Sequence, residues 1–201
     1  MKYVSLDLET GGLDKDKVQI LEVSAILQDS ERPTSYFDSP RLRFLVAPAD
    51  GTYQVEPFAA AMHHDLWLEI NASKDLVPEN MINHRIADWC ESQGLEKVTF
   101  AGKNFATFDL PFLLKRGGTG LIDYRRRTLD PCCMYATKSD LVLPSTEECM
   151  KRAGLIPSMA HMALGDAWDV IRLVNKHWGG PDLKSPASSE RAEWIRGSVP
   201  W

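Results

Sequence analysis

Tyr3-Val4-Ser5-Leu6-Asp7-Leu8-Glu9-Thr10-Gly11-Gly12-Leu13 is the stretch from which the fold is read. Apolar and polar residues alternate up to Glu9, the pattern of a half-buried β-strand. Asp7 and Glu9 are two residues apart, so both point to one face of the strand. Leu6 and Leu8 point to the other face, into a core. Two carboxylates side by side repel each other unless a cation sits between them. Thr10-Gly11-Gly12-Leu13-Asp14 then reads as a turn whose glycines would let a ligand come close. Taken alone, Asp-x-Glu fits a solvated strand face as well as it fits a ligand site.

Working outward, residues 18–27 and 41–46 read as two further strands, close enough in sequence for an antiparallel meander. Residues 55–70 are rich in Met and His and read as helical. Residues 76–93 also read as a helix: Val77, Ile82, Ile86 and Trp89 fall near one face, and Gly94 ends it. The pattern then changes. Residues 97–101 read as a strand, 110–116 as a helix, Thr128 and Leu129 as part of a short strand, and 147–153 as a helix closed by Gly154. Ala167, Val170, Ile171, Val174 and Trp178 define an amphipathic helix. A meander followed by alternating strands and helices predicts an α/β fold, with a mixed central sheet flanked by helices. Residues 1–179 form the expected domain. Residues 180–201, rich in Ser, Pro and charge, read as a tail that packs weakly or serves as an interaction segment. Trp194 and Trp201 within it would cap the domain or mark an interface.

Composition bounds the rest. The chain has 201 residues, 44% hydrophobic and 25% charged, as in an ordinary globular domain rather than a disordered chain. No apolar run approaches the ~18 residues of a membrane helix, so no membrane partner is expected. Asp7 stands where a signal peptide needs apolar residues. Cys90, Cys132, Cys133 and Cys149 lack metal-type spacing, and a reducing, cytoplasmic compartment is expected. Cys132 and Cys133 read as buried small hydrophobes rather than reactive thiols. The net charge of −5 suits a non-specific nucleic-acid binder poorly.

Two more clusters stand out. Gly102-Lys103-Asn104-Phe105-Ala106-Thr107-Phe108-Asp109 follows the 97–101 strand, with Asp109 at a helix start and Pro111 in its first turn. The ends of strands leading into helices are where α/β folds place ligand chemistry; Asp109 also fits a plain helix cap. The second cluster is His161-Met162-Ala163-Leu164-Gly165-Asp166-Ala167-Trp168-Asp169. Here too Asp166 fits a cap, and His161 a surface histidine. Asp169 shares a side of the helix with Asp166, with nothing else to commend it. His63 and His64 are adjacent, so their side chains diverge on a helix, and they read as structural or substrate-side rather than as a metal pair.

Together, in this order and spacing, these motifs resemble the DEDDh branch of the DEDD exonuclease superfamily (DnaQ-like, RNase T and oligoribonuclease exonucleases). The first motif is similar at Asp7-Leu8-Glu9-Thr10-Gly11-Gly12-Leu13, continued by Gln19-Ile20-Leu21-Glu22-Val23. The second is similar from Asn104 to Asp109. The third runs from His161 to Asp166, with the histidine five residues before the aspartate. The DEDDy branch has a tyrosine four residues before that aspartate, where this chain has Met162. Arg127-Thr128-Leu129-Asp130-Pro131 is also similar to a segment of this family. The resemblance covers residues 3–178.

The resemblance implies an RNase H-like exonuclease fold and removal of nucleotides from the 3′ end of single-stranded DNA or RNA, with release of 5′-monophosphates. It implies two Mg²⁺ or Mn²⁺ ions, hard cations suited to carboxylate and water oxygens. Asp7 would bridge both ions, Glu9 and Asp166 would hold one, and Asp109 would support the other through water. His161 would be the general base, a role its ordinary pKa suits. Thr10, Gly11, Leu13, Asn104, Phe105 and Phe108 are the expected substrate-binding residues, with core packing the alternative for at least one phenylalanine. Two divalent ions would change −5 to −1. Positive charge is then local, at Lys115-Arg116, Arg125-Arg126-Arg127 and Lys151-Arg152. The triple arginine is a candidate to line the strand path or grip a terminal phosphate. A stand-alone nuclease, a homodimer and a subunit working with a polymerase all fit. Rival readings are a non-catalytic module of the same fold that binds nucleic acid or a protein, and a hydrolase of a small phosphoester. The intact set of four acids with His161 argues against the binding module.

Overall fold

The alternation that begins at Tyr3 forms an interior strand of a five-stranded sheet. The structure is a computed structural model and describes residues 1–158 and 162–186. Strand β1 (Lys2–Thr10) pairs antiparallel with β2 (Ile20–Asp29), which pairs antiparallel with β3 (Arg41–Ala47). Two short parallel strands complete the sheet: β4 (Val77–Pro78) beside β3, and β5 (Phe100–Ala101) beside β1. The order is β4-β3-β2-β1-β5, the mixed sheet that the meander and the later alternation predict. Isolated bridges from Val98 to Tyr124 and from Ala101 to Leu129 extend the β5 edge.

The register sorts the two faces. Val4, Leu6 and Leu8 lie opposite Leu27, Ala25 and Val23, and these side chains join a core under α3 (Ile82–Ser92) and α4 (Asp109–Arg116). Ser5, Asp7 and Glu9 lie opposite Ile26, Ser24 and Glu22 on the other face. There α7 (Ala163–His177) packs Leu164, Trp168 and Ile171 against Tyr3 and Ile26. The Ser5 hydroxyl donates to the Ala167 carbonyl at 2.8 Å, fixing α7 along β1.

Three segments differ from the sequence reading. Residues 55–70 form two helices, α1 (Pro57–Met62) and α2 (His64–Ala72), that meet at His63. The expected helix over 76–93 starts only at Ile82, because Pro78 keeps Val77 extended as β4 and a 3-10 turn, Glu79–Met81, intervenes. A short helix, α5 (Pro131–Met134), was not anticipated although its signal is present: Asp130 caps it by accepting from the Cys132 amide, and Pro131 is its first residue. Helix α6 (Thr146–Ala153) ends at Gly154 in the left-handed conformation, as read. Among the described residues no helix is long and apolar enough to cross a membrane.

Residues 181–185 return onto α7. Arg172 pairs with Asp182, Asn175 donates to the Pro181 carbonyl, and Ser185 meets the Ser158 hydroxyl at 2.7 Å. The remainder of the tail from residue 187, including Trp194 and Trp201, lies outside the described residues, as does His161.

Candidate active site

The polar face of β1 and the first turn of α7 build one cluster. One carboxylate oxygen from each of Asp7, Glu9 and Asp166 lies within 4.8 Å of the others. Asp109 approaches from α4, and its charge also acts on Asp7. Neither Asp109 nor Asp166 is a helix cap: those positions belong to Phe108 and Met162. Instead, Asp109 is buried and accepts from the Leu8 amide at 3.1 Å, which joins α4 to β1 between the two strand acids.

The electrostatics are unfavourable without a cation. Burial, and then Asp166, Asp109 and Glu9, push the Asp7 carboxyl well above its ordinary range. Burial pushes Asp109 up to about 7, against the opposing effect of the backbone N–H groups it accepts from. Glu9 also lies directly across the strand pair from Glu22. That second repulsion is relieved by Arg43, whose Nε lies 2.6 Å from Glu22 and whose guanidinium also pairs with Glu69 of α2. Four clustered acids with hard oxygen donors are what a divalent cation fits.

The cluster forms the floor of a 540 Å³ cleft. Lys103 and Asn104 form part of its wall, with Phe108 beside them. The start of α6 (Ser145, Thr146, Glu147) and residues 157 and 158 line it farther from β1. Asn104 sits at φ 56°, held there by Asp130, which accepts from its amide at 3.0 Å. A second hollow, between the Leu13–Lys15 turn and α4, is lined by Leu13, Glu56, Phe108 and Phe112. Phe108 therefore borders both, and Leu13 is 79% exposed above the second.

Other expected site residues lie elsewhere. Phe105 is a core residue, 1% exposed and stacked on Phe100 at 4.6 Å; the second-motif loop folds its ring inward. The Gly11 backbone is engaged within the fold: its N–H donates to the Gln19 carbonyl and its own carbonyl accepts from the Glu56 amide. Its lack of a side chain serves packing, since a Cβ there would lie 2.6 Å from the Gln54 carbonyl oxygen. The Thr10 hydroxyl is likewise engaged, donating to the Gly12 carbonyl at 2.7 Å. Lys115 pairs with Asp16, and Arg116 reaches Lys15 and Glu79, so this basic pair braces the turn after β1. Arg152 pairs with Asp140 and Glu148. Arg125, Arg126 and Arg127 are exposed along the β5 edge. Cys132 is buried as expected, whereas Cys133 is exposed.

The sequence reading passed over Asp169. Its buried carboxylate lines the cleft, accepts from the amide and hydroxyl of Ser158, and pairs with Arg172. The signal was an acid one turn after Asp166 and three residues before Arg172, a helical spacing at which opposite charges pair.

No protein-family model matches the chain. A ribonuclease T from Hahella chejuensis (strain KCTC 2396) is 28% identical over 186 residues, covering 85% of this chain and 80% of that protein. The chain is thus similar to a ribonuclease T over most of both lengths. Solved structures share its fold. An exonuclease I structure superposes with a TM-score of 0.63 at 22% identity, covering 87% of this chain. Escherichia coli exonuclease I with a dT13 oligonucleotide superposes at 0.58 and 19%, again over 87%. The chain spans 40% of the length of either exonuclease I chain.

Proposed function

We propose that this chain is a 3′–5′ exonuclease that removes nucleoside 5′-monophosphates from single-stranded DNA or RNA, with two Mg²⁺ or Mn²⁺ ions. The observation that carries the reading is the convergence of Asp7, Glu9 and Asp166 within 4.8 Å, with Asp109 behind them, on the floor of an open cleft. Asp7, Glu9, Asp109 and Asp166 hold the ions. When bound, the ions supply a nucleophilic water at neutral pH and stabilise the leaving oxygen. Asp7 lies central to the cluster, and Asp109 would add its carboxylate to the set from its anchor on the Leu8 amide. His161, five residues before Asp166, takes the proton from the attacking water; this role rests on the third motif.

Phe108 and Leu13 give the terminal nucleotides apolar surface, and Asn104, fixed by Asp130, gives them a hydrogen-bonding side chain. The exonuclease I neighbour that holds dT13 supports a single strand as the occupant of such a cleft. The four cysteines are free thiols, which supports a reducing, cytoplasmic setting.

The test is a time course on 5′-labelled single-stranded DNA and RNA of one sequence, with Mg²⁺, Mn²⁺ or chelator, beside Asp7→Ala. A ladder shortening from the 3′ end and abolished by chelator and by the variant is the expected result. Cleavage that persists in Asp7→Ala refutes the two-ion assignment.

A further inference from the structure

We propose that His63 is a positioning residue for Glu9, holding that carboxylate in the orientation a divalent ion requires. The role rests on reading the acid cluster as a metal site. His63 Nδ1 lies 3.6 Å from Glu9 Oε2. The histidine is 5% exposed, while its neighbour His64 faces solvent.

The backbone presents this ring rather than the next one. His63 closes α1 and opens α2, with φ −96° and ψ 32°, away from ideal helical values. Its amide donates to the Ala59 carbonyl at 3.0 Å and its carbonyl accepts from the Trp67 amide at 2.9 Å. The helical hydrogen bonding therefore runs through the break and holds the His63 backbone from both sides.

Glu9 needs such a hold more than the aspartates do. Its side chain has one more rotatable bond, and Asp7 repels it from the same strand face. Asp109 is already fixed by the Leu8 amide. The residue across the strand pair, Glu22, carries like charge and is engaged by Arg43. His63 approaches from the remaining side, off the sheet. The 3.6 Å approach is an ion-pair distance, longer than a hydrogen bond, and holding one carboxylate oxygen from behind is how such groups set the orientation of a metal ligand. His63 does not line the cleft, so its effect reaches the reaction through Glu9.

The test is calorimetric titration of Mn²⁺ into the full chain without nucleic acid, for wild type, His63→Ala, His63→Asn and His64→Ala. His63→Ala is expected to bind Mn²⁺ about 10–100-fold more weakly. His63→Asn, whose amide N–H replaces the ring N–H, recovers most of that loss, and His64→Ala matches wild type. On a labelled strand, His63→Ala shows a raised Mn²⁺ requirement with an unchanged KM for nucleic acid at saturating metal. If His63→Ala does not fold, His63→Leu, which fills the space without a donor, takes its place. Wild-type Mn²⁺ affinity in a folded His63→Ala or His63→Leu overturns the role, as does a His63→Asn no better than either. A folded wild type that takes up no Mn²⁺ overturns the metal reading itself, and the role of His63 with it.

Discussion

Asp7 is kept in the fold against its own charge. Burial and four neighbouring acids, Asp166, Asp109, Glu9 and Glu22, favour its protonated form, so the residue central to the site weakens the metal-free protein. Asp7→Asn should therefore melt higher than wild type in chelator, by about 2–4 °C for each kcal/mol of repulsion removed. The same variant should be inactive with Mn²⁺. A differential scan in chelator decides the first point, and a lower melting temperature for Asp7→Asn would refute it. The two phenylalanines of the second motif separate in the same way. Phe105→Ala removes a buried ring and should cost about 3–5 kcal/mol in denaturant unfolding. Phe108→Ala, which loses a partly buried ring packed on Phe112, should cost less stability than Phe105→Ala and raise KM for a labelled strand. His161→Ala should slow turnover by about 10²–10⁴-fold while Mn²⁺ affinity stays near wild type. Unchanged turnover would remove His161 from the chemistry.

At the scale of elements, the turn after β1 is built by packing rather than left open for a ligand. Gly11→Ala drives a Cβ to 2.6 Å from the Gln54 carbonyl oxygen, so the 53–56 segment must move. The expected cost is about 1–3 kcal/mol in denaturant unfolding. Activity should fall as well, because Glu9 is two residues away. The sequence made β1 legible through its alternation, and α4, α6 and α7 through their starts and stops, because those signals are local. The acids were legible for the same reason: a two-residue spacing on a strand settles which face they share. His63 was not, because its partner lies 54 residues away, and of the partners of Asp169 only Arg172 is local, Ser158 being brought to it by the fold. The fate of Phe105 against Phe108 was hidden similarly, since which ring turns inward depends on the left-handed Asn104. Pro78 was a readable breaker within the 76–93 pattern, and the apolar spacing around it outweighed it.

For the whole molecule, the acid cluster sets how stability responds to pH. Asp109 titrates near 3.8 in an unfolded chain and at about 7 in the fold. Between those values the native state binds more protons than the unfolded one, so stability falls as pH rises. In chelator the melting temperature should decline from pH 4 towards about 7. Mn²⁺ should bind more tightly over the same rise, as the carboxyls ionise, and restore stability by mass action. A chelated protein whose melting temperature climbs over that range would show that other groups dominate. The contact between β1 and α7 also sets when the site comes into being. Ser5 and Ala167, which clasp those two elements, are 162 residues apart. Asp166 beside that clasp is the last of the four acids to be synthesised. A chain still emerging from the ribosome, or a proteolytic fragment ending before α7, carries Asp7, Glu9 and Asp109 without the fourth acid. The protein thus passes most of its own synthesis next to RNA without a complete set of acids.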